Sequence, residues 1–254
     1  MSAGVGEGGA ALGAPETQEI PPFPTVGRAH ALERLVGIRD VTPEGRARLD
    51  AIVDWFQHVA YADVLDAGID KEAAWIVRRT TVRVTRFPQL GETVELKTAC
   101  SGYGTFWAER RTQVRGSAGA AVEGATIWVS LDPATLRPMR PLAFLGIYGE
   151  SAGDRRVRAK LRHAAPPPDA SASAVAWPLR AADLDPAGHV NNSVYWQAIE
   201  EGWQELPAGG GLVAEAEHHA PALGGMTLLR SGERAWLAGE DGTMHASFVL
   251  RAET

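Results

Sequence analysis

The chain has 254 residues, enough for one large domain or two small ones, and 45% of them are apolar, as in a globular protein. Its formal net charge of −6 argues against a general nucleic-acid binder, and its single cysteine, Cys100, excludes an intramolecular disulfide. No stretch approaches the roughly 20 apolar residues of a membrane-spanning helix, so we expect a cytoplasmic protein without a membrane span.

The first 26 residues are rich in Gly, Ala and Glu. They have neither the basic start nor the apolar run of a signal peptide, and their composition predicts a disordered tail. We place the start of the first domain at residue 27.

A tight turn followed by an amphipathic helix is predicted after this tail. Pro43 and Gly45 suit a turn, because Pro presets φ and Gly allows positive φ. Apolar side chains then recur at helical spacing over about four turns. They are Leu49, Ile52, Val53, Phe56 and Val59.

A sheet is predicted after this helix. Its strands fall at residues 75–84, 93–98, 105–114 and 122–131, with a corner at Pro88 and Gly91. The composition then changes, because residues 151–174 join a basic run to a segment rich in Pro, Ala and Ser. That composition predicts a linker.

The same order of elements recurs after the linker. Pro186 and Gly188 repeat Pro43 and Gly45 at a constant separation, and a helical pattern of about four turns follows at 194–203. Further strands are predicted at 212–217, 227–229, 235–238 and 243–250, with Asp241-Gly242 as a hairpin turn. One helix and several antiparallel strands, used twice, make an α+β architecture with domains at 27–150 and 175–254.

The segment D-L-D-P-A-G-H-V-N-N-S-V-Y, which begins at Asp183, resembles the signature of hotdog thioesterases. The paired halves resemble the acyl-ACP thioesterases of plants and bacteria, which are double-hotdog chains. The resemblance covers most of the chain from about residue 28 onward. It implies a tandem hotdog with two antiparallel sheets, each wrapped around a central helix, in which the first domain binds the acyl chain and the second is catalytic.

The resemblance also implies an activity, the hydrolysis of fatty acyl thioesters of acyl carrier protein in fatty acid biosynthesis, with neither metal nor organic cofactor. It gives Asp185 as the catalytic Asp and His189 as the motif His. Two positions depart from the plant-type pattern: Ala187 stands where those enzymes have Asn, and His219 where they have a strand Glu. The Pro-Ala-Gly after Asp185 is closer to single-domain hotdog thioesterases that act on coenzyme A esters.

Thioester hydrolysis needs an activated water or a nucleophile and a site for the developing oxyanion. Asp185 can serve as general base or nucleophile. The backbone amides about Asn191 and Asn192, at a helix start, can polarise the carbonyl. The alternative is that all three residues only cap the turn and the helix.

The contrast between the two copies favours chemistry in the second alone. The first copy has Thr42 and Arg46 at the positions of the carboxylate and the imidazole. His218 and His219 lie next to each other on a strand, so only one of them can face the site. The alignment favours His219.

Two further groups are candidates for substrate binding. Four aromatic residues of the first domain are candidates for lining the acyl pocket: Trp55, Phe56, Trp75 and Trp107. The alternative is that they belong to the hydrophobic core, which is the more common place for such residues. Basic residues of the linker would steer an acidic carrier protein, or would form only a solvated surface: Arg155, Arg156 and Arg158.

Two other functions stay open, an acyl-CoA thioesterase of the same fold and a non-catalytic acyl-binding module. The expected partner is an acyl carrier protein or coenzyme A thioester and not a nucleic acid. A fused pair already supplies the dimer that a single hotdog needs, so a monomer and a homodimer are both compatible with the sequence.

Overall fold

The computed structural model describes residues 17–203 and 211–253. The first half contains one long helix and five strands, followed by a second helix. These elements are β1 (Ala29–Leu35), α1 (Leu49–Asp66), β2 (Ala74–Arg86), β3 (Thr93–Tyr103), β4 (Trp107–Gly116), β5 (Ala121–Leu131) and α2 (Leu142–Ala152).

The second half repeats this plan with shorter elements. They are β6 (Val175–Trp177), a 3-10 turn (Val194–Trp196) that runs into α3 (Gln197–Gly202), β7 (Leu212–His218), β8 (Met226–Ser231), β9 (Arg234–Gly239) and β10 (Met244–Ala252).

All ten strands belong to one antiparallel sheet in the order β1-β3-β4-β5-β2-β7-β10-β9-β8-β6. The two halves meet where β2 pairs with β7, with Thr80 opposite Ala216. The predicted α+β class with two helix-and-sheet units is confirmed, and the two expected sheets are joined edge to edge.

Helix α1 forms the core of the first half. Its apolar side chains are buried against the sheet, among them Ile52, Trp55 and Phe56. The Phe56 ring occupies the space that a Cβ at position 124 would need, so Gly124 lets the helix approach β5 closely.

The two predicted turns are present and alike. Gly45 has φ +85° and Gly188 has φ +77°, conformations that side-chain-bearing residues rarely adopt. In each turn the N–H of the residue before the Pro donates to the carbonyl four residues further along the chain. Thr42 donates to Arg46 at 2.8 Å, and Asp185 donates to His189 at 2.7 Å. The repeat therefore holds at the level of backbone geometry.

Residues 17–26, expected to belong to a disordered tail, pack on the outer face of the sheet. The Gln18 N–H donates to Glu215 at 2.6 Å, and Arg111 donates to the Pro21 carbonyl at 2.5 Å. Buried charges on that face give this polar segment partners that its composition does not reveal. Residues 1–16, the rest of the expected tail, lie outside the described residues.

Three elements were not predicted, and one is shorter than predicted. Helix α2 contains Gly146 and Gly149, which are poor helix formers, and the short edge strands β1 and β6 lack a strong apolar pattern. The second central helix was expected to span about four turns. It instead begins as a 3-10 turn, because the Val194 N–H bonds to the Asn191 carbonyl three residues back.

In residues 17–203 and 211–253, no helix combines the length and the apolar content that crossing a bilayer requires.

Candidate active site

The carboxylate of Asp185 holds its own turn together. Its Oδ1 accepts hydrogen bonds from the N–H groups of Ala187 at 2.9 Å and His189 at 3.1 Å. Its Oδ2 has no hydrogen bond with the residues that the structure describes. Capping therefore uses one oxygen of this half-buried carboxylate and leaves the other available.

The matching turn of the first half is closed. The Ala47 N–H donates to the Pro88 carbonyl at 2.8 Å, and the Leu49 N–H donates to Oε1 of Glu200 at 2.6 Å. Glu200 comes from α3 of the other half and also pairs with Arg46 at 2.7 Å. Both outward-facing amides at this helix start are thus occupied, one of them by a carboxylate.

The corresponding amides of the second half are open. The repeat aligns residue 47 with Val190 and residue 49 with Asn192. Neither backbone N–H has a partner among residues 17–203 and 211–253, whereas the Asn191 N–H donates to the Asp183 carbonyl at 2.8 Å. Two backbone donors beside Asp185 therefore have no acceptor within the described protein, as is usual for the first amides of a helix, and they can bind an oxygen from outside the chain.

Gln57 occupies the place in the second half that Glu200 occupies in the first. Its Nε2 donates to Oδ1 of Asn191 at 3.0 Å, and its Oε1 accepts from Nδ2 of Asn192 at 3.3 Å. The repeat aligns Gln57 with Glu200, so a neutral amide replaces the carboxylate that closes the first turn. Sequence reasoning missed Gln57, although the constant separation of the two copies would have found it.

The side chains of Tyr195 and His218 are buried against each other. Burial raises the pKa of Tyr195, and the charge of Asp185 raises it further. The Tyr195 hydroxyl accepts from the Ala222 N–H at 3.3 Å, and its ring meets the His218 ring edge-on at 5.3 Å. Burial, with a smaller contribution from the neighbouring His219, lowers the pKa of His218 to about 3, so this imidazole is neutral.

His219 lies on the opposite face of the sheet from Asp185. Strand residues alternate between faces, and Ala214 and Ala216 on β7 pack with the helices, as does His218. The ring of His219 lies instead 2.8 Å from the Ser247 hydroxyl on the outer face. The structure thus brings His218 near the site and leaves His219, the histidine that the alignment favoured, outside it.

The remaining motif residues lie at the turn itself. The ring of His189 is half-buried and makes no hydrogen bond or ion pair with the described residues. Asn191 caps the following 3-10 turn, because its Oδ1 accepts from the N–H and the hydroxyl of Ser193 at 2.9 and 3.0 Å. Asp185, His189, Asn191 and Asn192 therefore lie together at this turn.

A cavity of about 280 Å³ opens beside this turn, in the first half. It runs between α1 and the inner face of the sheet, starting at Gln57, which contacts the turn. The helix residues that line it span positions 57 to 64, a length of about 10 Å at the rise of an α-helix. The other wall consists of Trp75, Ala108, Arg110, Trp128 and Phe144.

Of the four aromatic residues proposed for substrate binding, Trp75 lines this cavity. Trp55 and Phe56 are fully buried core residues on another side of α1. Trp107 donates its indole N–H to the Val157 carbonyl at 2.7 Å, which fixes the linker to β4. Trp128 was missed because it lies within a strand whose aromatic content is otherwise low.

The three arginines proposed for the carrier lie on the linker across the outer face. Arg155 pairs with the buried Glu109, and Arg156 lies over the Tyr103 ring at 4.1 Å. Arg158 is exposed. None of the three lines the cavity.

One group of possible metal ligands occurs among the described residues, His163, Glu215 and Glu217, on the outer face. Their ligand atoms already have protein partners. His163 bonds to Ser247 and Glu215 at 2.9 and 3.1 Å, and Glu217 accepts from Arg79. Burial alone would raise the pKa of Glu215, but the hydrogen bonds from His163 and others hold it below its usual range.

Two protein-family models match the chain. One, described as the acyl-ACP thioesterase N-terminal domain, matches residues 29–142, and the other, described as the C-terminal domain, matches residues 168–205. Together they cover more than half of the chain.

Individual proteins resemble the chain more distantly. An uncharacterized protein of Mycobacterium tuberculosis is 27% identical over 186 residues, 72% of this chain and 74% of that protein. The 12:0-ACP thioesterase from Umbellularia californica is 19% identical, with a TM-score of 0.68 over 89% of this chain and 98% of its own. An acyl-ACP thioesterase from Bacteroides thetaiotaomicron is 14% identical, with a TM-score of 0.69 over 88% of this chain and 98% of its own. These structures confirm the predicted hotdog fold.

Proposed function

Because the chain belongs to the acyl-ACP thioesterase family and is a thioester hydrolase, we propose that it hydrolyses fatty acyl-ACP to free fatty acid and carrier thiol. Release of fatty acids in this way is a step of fatty acid biosynthesis. The chemistry takes place at the turn of the second half, and the acyl chain lies in the cavity that begins at Gln57.

Asp185 acts on a water molecule in this proposal. Its free Oδ2 takes a proton from water as the water oxygen attacks the thioester carbonyl carbon. The carbonyl oxygen becomes an oxyanion, and the N–H groups of Val190 and Asn192 donate to it. The carbon–sulfur bond then breaks, and the proton on Asp185 passes to the leaving thiolate.

The other route consistent with the site is direct attack by Asp185. Its Oδ2 would form an anhydride with the acyl group and expel the thiol, and water would hydrolyse that anhydride. Single-turnover hydrolysis in ¹⁸O-labelled water identifies direct attack if label enters the Asp185 carboxylate, because water then opens the anhydride at the aspartyl carbonyl. Label only in the released acid is expected from both routes when water attacks the acyl carbon. Mass spectrometry of the quenched reaction then separates them, since only direct attack acylates the protein.

The observation that carries the proposal is the difference between the two helix starts. In the first half, a carboxylate oxygen of Glu200 lies on the Leu49 N–H at 2.6 Å, where a negatively charged oxygen is bound by a helix amide. The second half has the same amide at Asn192, without that acceptor. The closed turn thus supports an oxyanion as the group that the open turn binds.

The proposal is tested by a thiol-release assay across acyl-ACP chain lengths. The wild-type protein should release carrier thiol, and Asp185→Ala should release little or none while keeping its circular dichroism spectrum. Full activity in a folded Asp185→Ala protein would contradict the assignment.

The carrier is the second element of the proposal. The exposed side chains of Arg158, Lys160 and Arg162 give this acidic protein a local positive surface, which favours an acidic carrier protein by steering its approach. An acyl-CoA substrate remains the alternative. Comparing kcat/KM for one acyl group on both carriers, before and after replacing the three residues by Gln, decides between them: equal values and no loss would favour coenzyme A.

A further inference from the structure

The inner wall of the acyl cavity carries buried hydrogen-bond donors without partners. The Nη2 of Arg110 and the Nε1 of Trp128 are shielded from solvent and make no hydrogen bond with the described residues, and both residues line the cavity. The Arg110 guanidinium also lies over the Tyr148 ring at 4.8 Å. The hydroxyl of Ser130, two residues from Trp128, is also buried and unpartnered. A wall for a plain hydrocarbon chain would not need any of these groups.

The three positions lie on one face of two paired strands. Arg110 is opposite Thr126, and Ala108 is opposite Trp128, two residue pairs apart along β4 and β5. Ser130 follows on the next inward position of β5. Gly124, on the same face, contacts Phe56 of α1, so this face is the one that looks into the first half. The unpartnered donors are therefore neighbours and not scattered.

The chemistry of these groups defines what they can bind. Guanidinium and indole N–H groups only donate hydrogen bonds, so their missing partner is an acceptor oxygen. Leaving a buried donor unmatched is costly, and a ligand that supplies the acceptor removes that cost.

The charged residues around Arg110 indicate which kind of acceptor oxygen the cavity can bind. Arg110 pairs with Asp63 at 2.6 Å, Asp63 also pairs with Arg28 at 2.7 Å, and Arg28 pairs with Asp66 at 2.5 Å. Two arginines and two aspartates leave no net charge to balance an added carboxylate. A neutral oxygen, such as a hydroxyl or an oxo group, suits this end of the cavity better.

We propose that the acyl group that this enzyme releases carries a hydroxyl or oxo oxygen on its chain, bound by the donors of Arg110 and Trp128. This inference rests on the proposed function, because it assumes that the cavity holds the acyl chain. Gln57 contacts the catalytic turn, and Arg110 bonds to Asp63, about 9 Å further along α1. The oxygen therefore lies away from the thioester carbonyl.

The test compares acyl-ACP substrates of equal length, unsubstituted or carrying a hydroxyl or oxo group at successive positions. Wild type should show a kcat/KM at least about tenfold higher for one of the substituted chains than for the unsubstituted one. Trp128→Phe keeps a six-membered aromatic ring but removes the donor, and it should lower this ratio about three- to tenfold. Trp107→Phe is the matched control, since its indole bonds to the linker outside the cavity, and it should leave the ratio unchanged.

The outcomes separate this inference from the proposed function. If all chains are hydrolysed equally, with loss of activity in Asp185→Ala, the activity stands and the oxygen-bearing chain is refuted. If no thioester is hydrolysed, the proposed function fails, and calorimetric binding of the free acids still decides the inference. The inference is supported if a hydroxy or oxo acid binds more tightly than the unsubstituted acid and if Trp128→Phe weakens that binding. Equal binding of all the acids, as expected if only water fills the site, overturns the inference.

Discussion

At the scale of single residues, the site depends on a carboxylate with two separate tasks. Oδ1 of Asp185 fixes the turn through the N–H groups of Ala187 and His189, and Oδ2 is free. The sequence alone made capping and catalysis competing explanations of Asp185. The geometry shows that the two are compatible, because each uses a different oxygen.

His218 gives a prediction about pH and stability. The pKa of His218 is about 3 in the folded protein against an ordinary value of 6.5, because the ring is buried. Between these values the unfolded chain binds a proton that the folded protein does not, so stability falls as pH drops below about 6.5. His218→Phe keeps a ring against Tyr195 but has no group to protonate. Between pH 7 and pH 5, we expect its free energy of unfolding to fall by about 2 kcal/mol less than that of wild type.

Urea denaturation of both proteins at the two pH values measures this difference. An identical loss of stability in wild type and His218→Phe would show that the His218 ring does not resist protonation.

Which histidine faces the site could not be decided from the sequence. Side chains alternate along β7, so one of His218 and His219 must face inward. Which of the two does so depends on the register of the strand. That register is fixed by pairings such as Thr80 with Ala216, which join residues far apart in the chain. Local patterns therefore predicted the strand and not the direction of its histidines.

At the scale of elements, each central helix start is contacted by a side chain from the other half. Glu200 of α3 caps α1, and Gln57 of α1 contacts the turn that precedes α3. Eight of the ten strands and the helix α1 were predictable from alternation and from helical spacing. These exchanged contacts were not, because they depend on how two distant helices pack, although the repeat aligns the two residues.

Introducing a negative charge at position 57 should occupy the open amide of the second helix start. In Gln57→Glu, the new carboxylate can accept from the Asn192 N–H as Glu200 does from the Leu49 N–H, and it repels the developing oxyanion. We expect kcat/KM to fall at least about tenfold, while the midpoint of urea unfolding does not decrease. Unchanged kinetics on the preferred acyl-ACP would argue against the Asn192 amide as an oxyanion donor.

Removing Glu200 should destabilise the first half instead. Glu200→Ala deletes the acceptor of the Leu49 N–H and the partner of Arg46, so we expect a loss of about 2 kcal/mol in the free energy of unfolding. The neighbouring Glu201 is exposed, and Glu201→Ala should change stability by less than about 0.5 kcal/mol. Equal effects of the two substitutions in urea denaturation would contradict the capping role.

At the scale of the whole molecule, the pairing of β2 with β7 makes the two halves one sheet, and buried charges reinforce this joint. Arg79 on β2 bonds to Glu217 on β7 at 2.6 Å, with both side chains nearly inaccessible to solvent. The linker adds to the joint, because the Arg162 and His163 N–H groups donate to Glu217 at 2.9 Å. A segment whose composition predicts a linker between two domains is therefore bound to the sheet.

This joint predicts a single unfolding transition for both halves. Arg79→Met leaves Glu217 buried with its charge uncompensated, so we expect a loss of about 3–5 kcal/mol with one cooperative transition retained. Arg83→Met, on the same strand, removes an exposed pair with Glu253 at 2.9 Å and should cost less than about 1 kcal/mol. Fluorescence and circular dichroism transitions that fail to coincide would show that the halves unfold independently.

The central claim, that the second turn carries the chemistry through the free oxygen of one carboxylate, is tested most directly by Asp185→Asn. Asn keeps an oxygen that can accept from Ala187 and His189, so the turn survives, but it cannot take a proton from water or attack a carbonyl. We predict that single-turnover hydrolysis of the preferred acyl-ACP slows by about 10²–10⁴-fold, whereas Thr42→Val at the matching position of the first half retains the wild-type rate. A folded Asp185→Asn protein that hydrolyses its substrate at the wild-type rate would contradict the account.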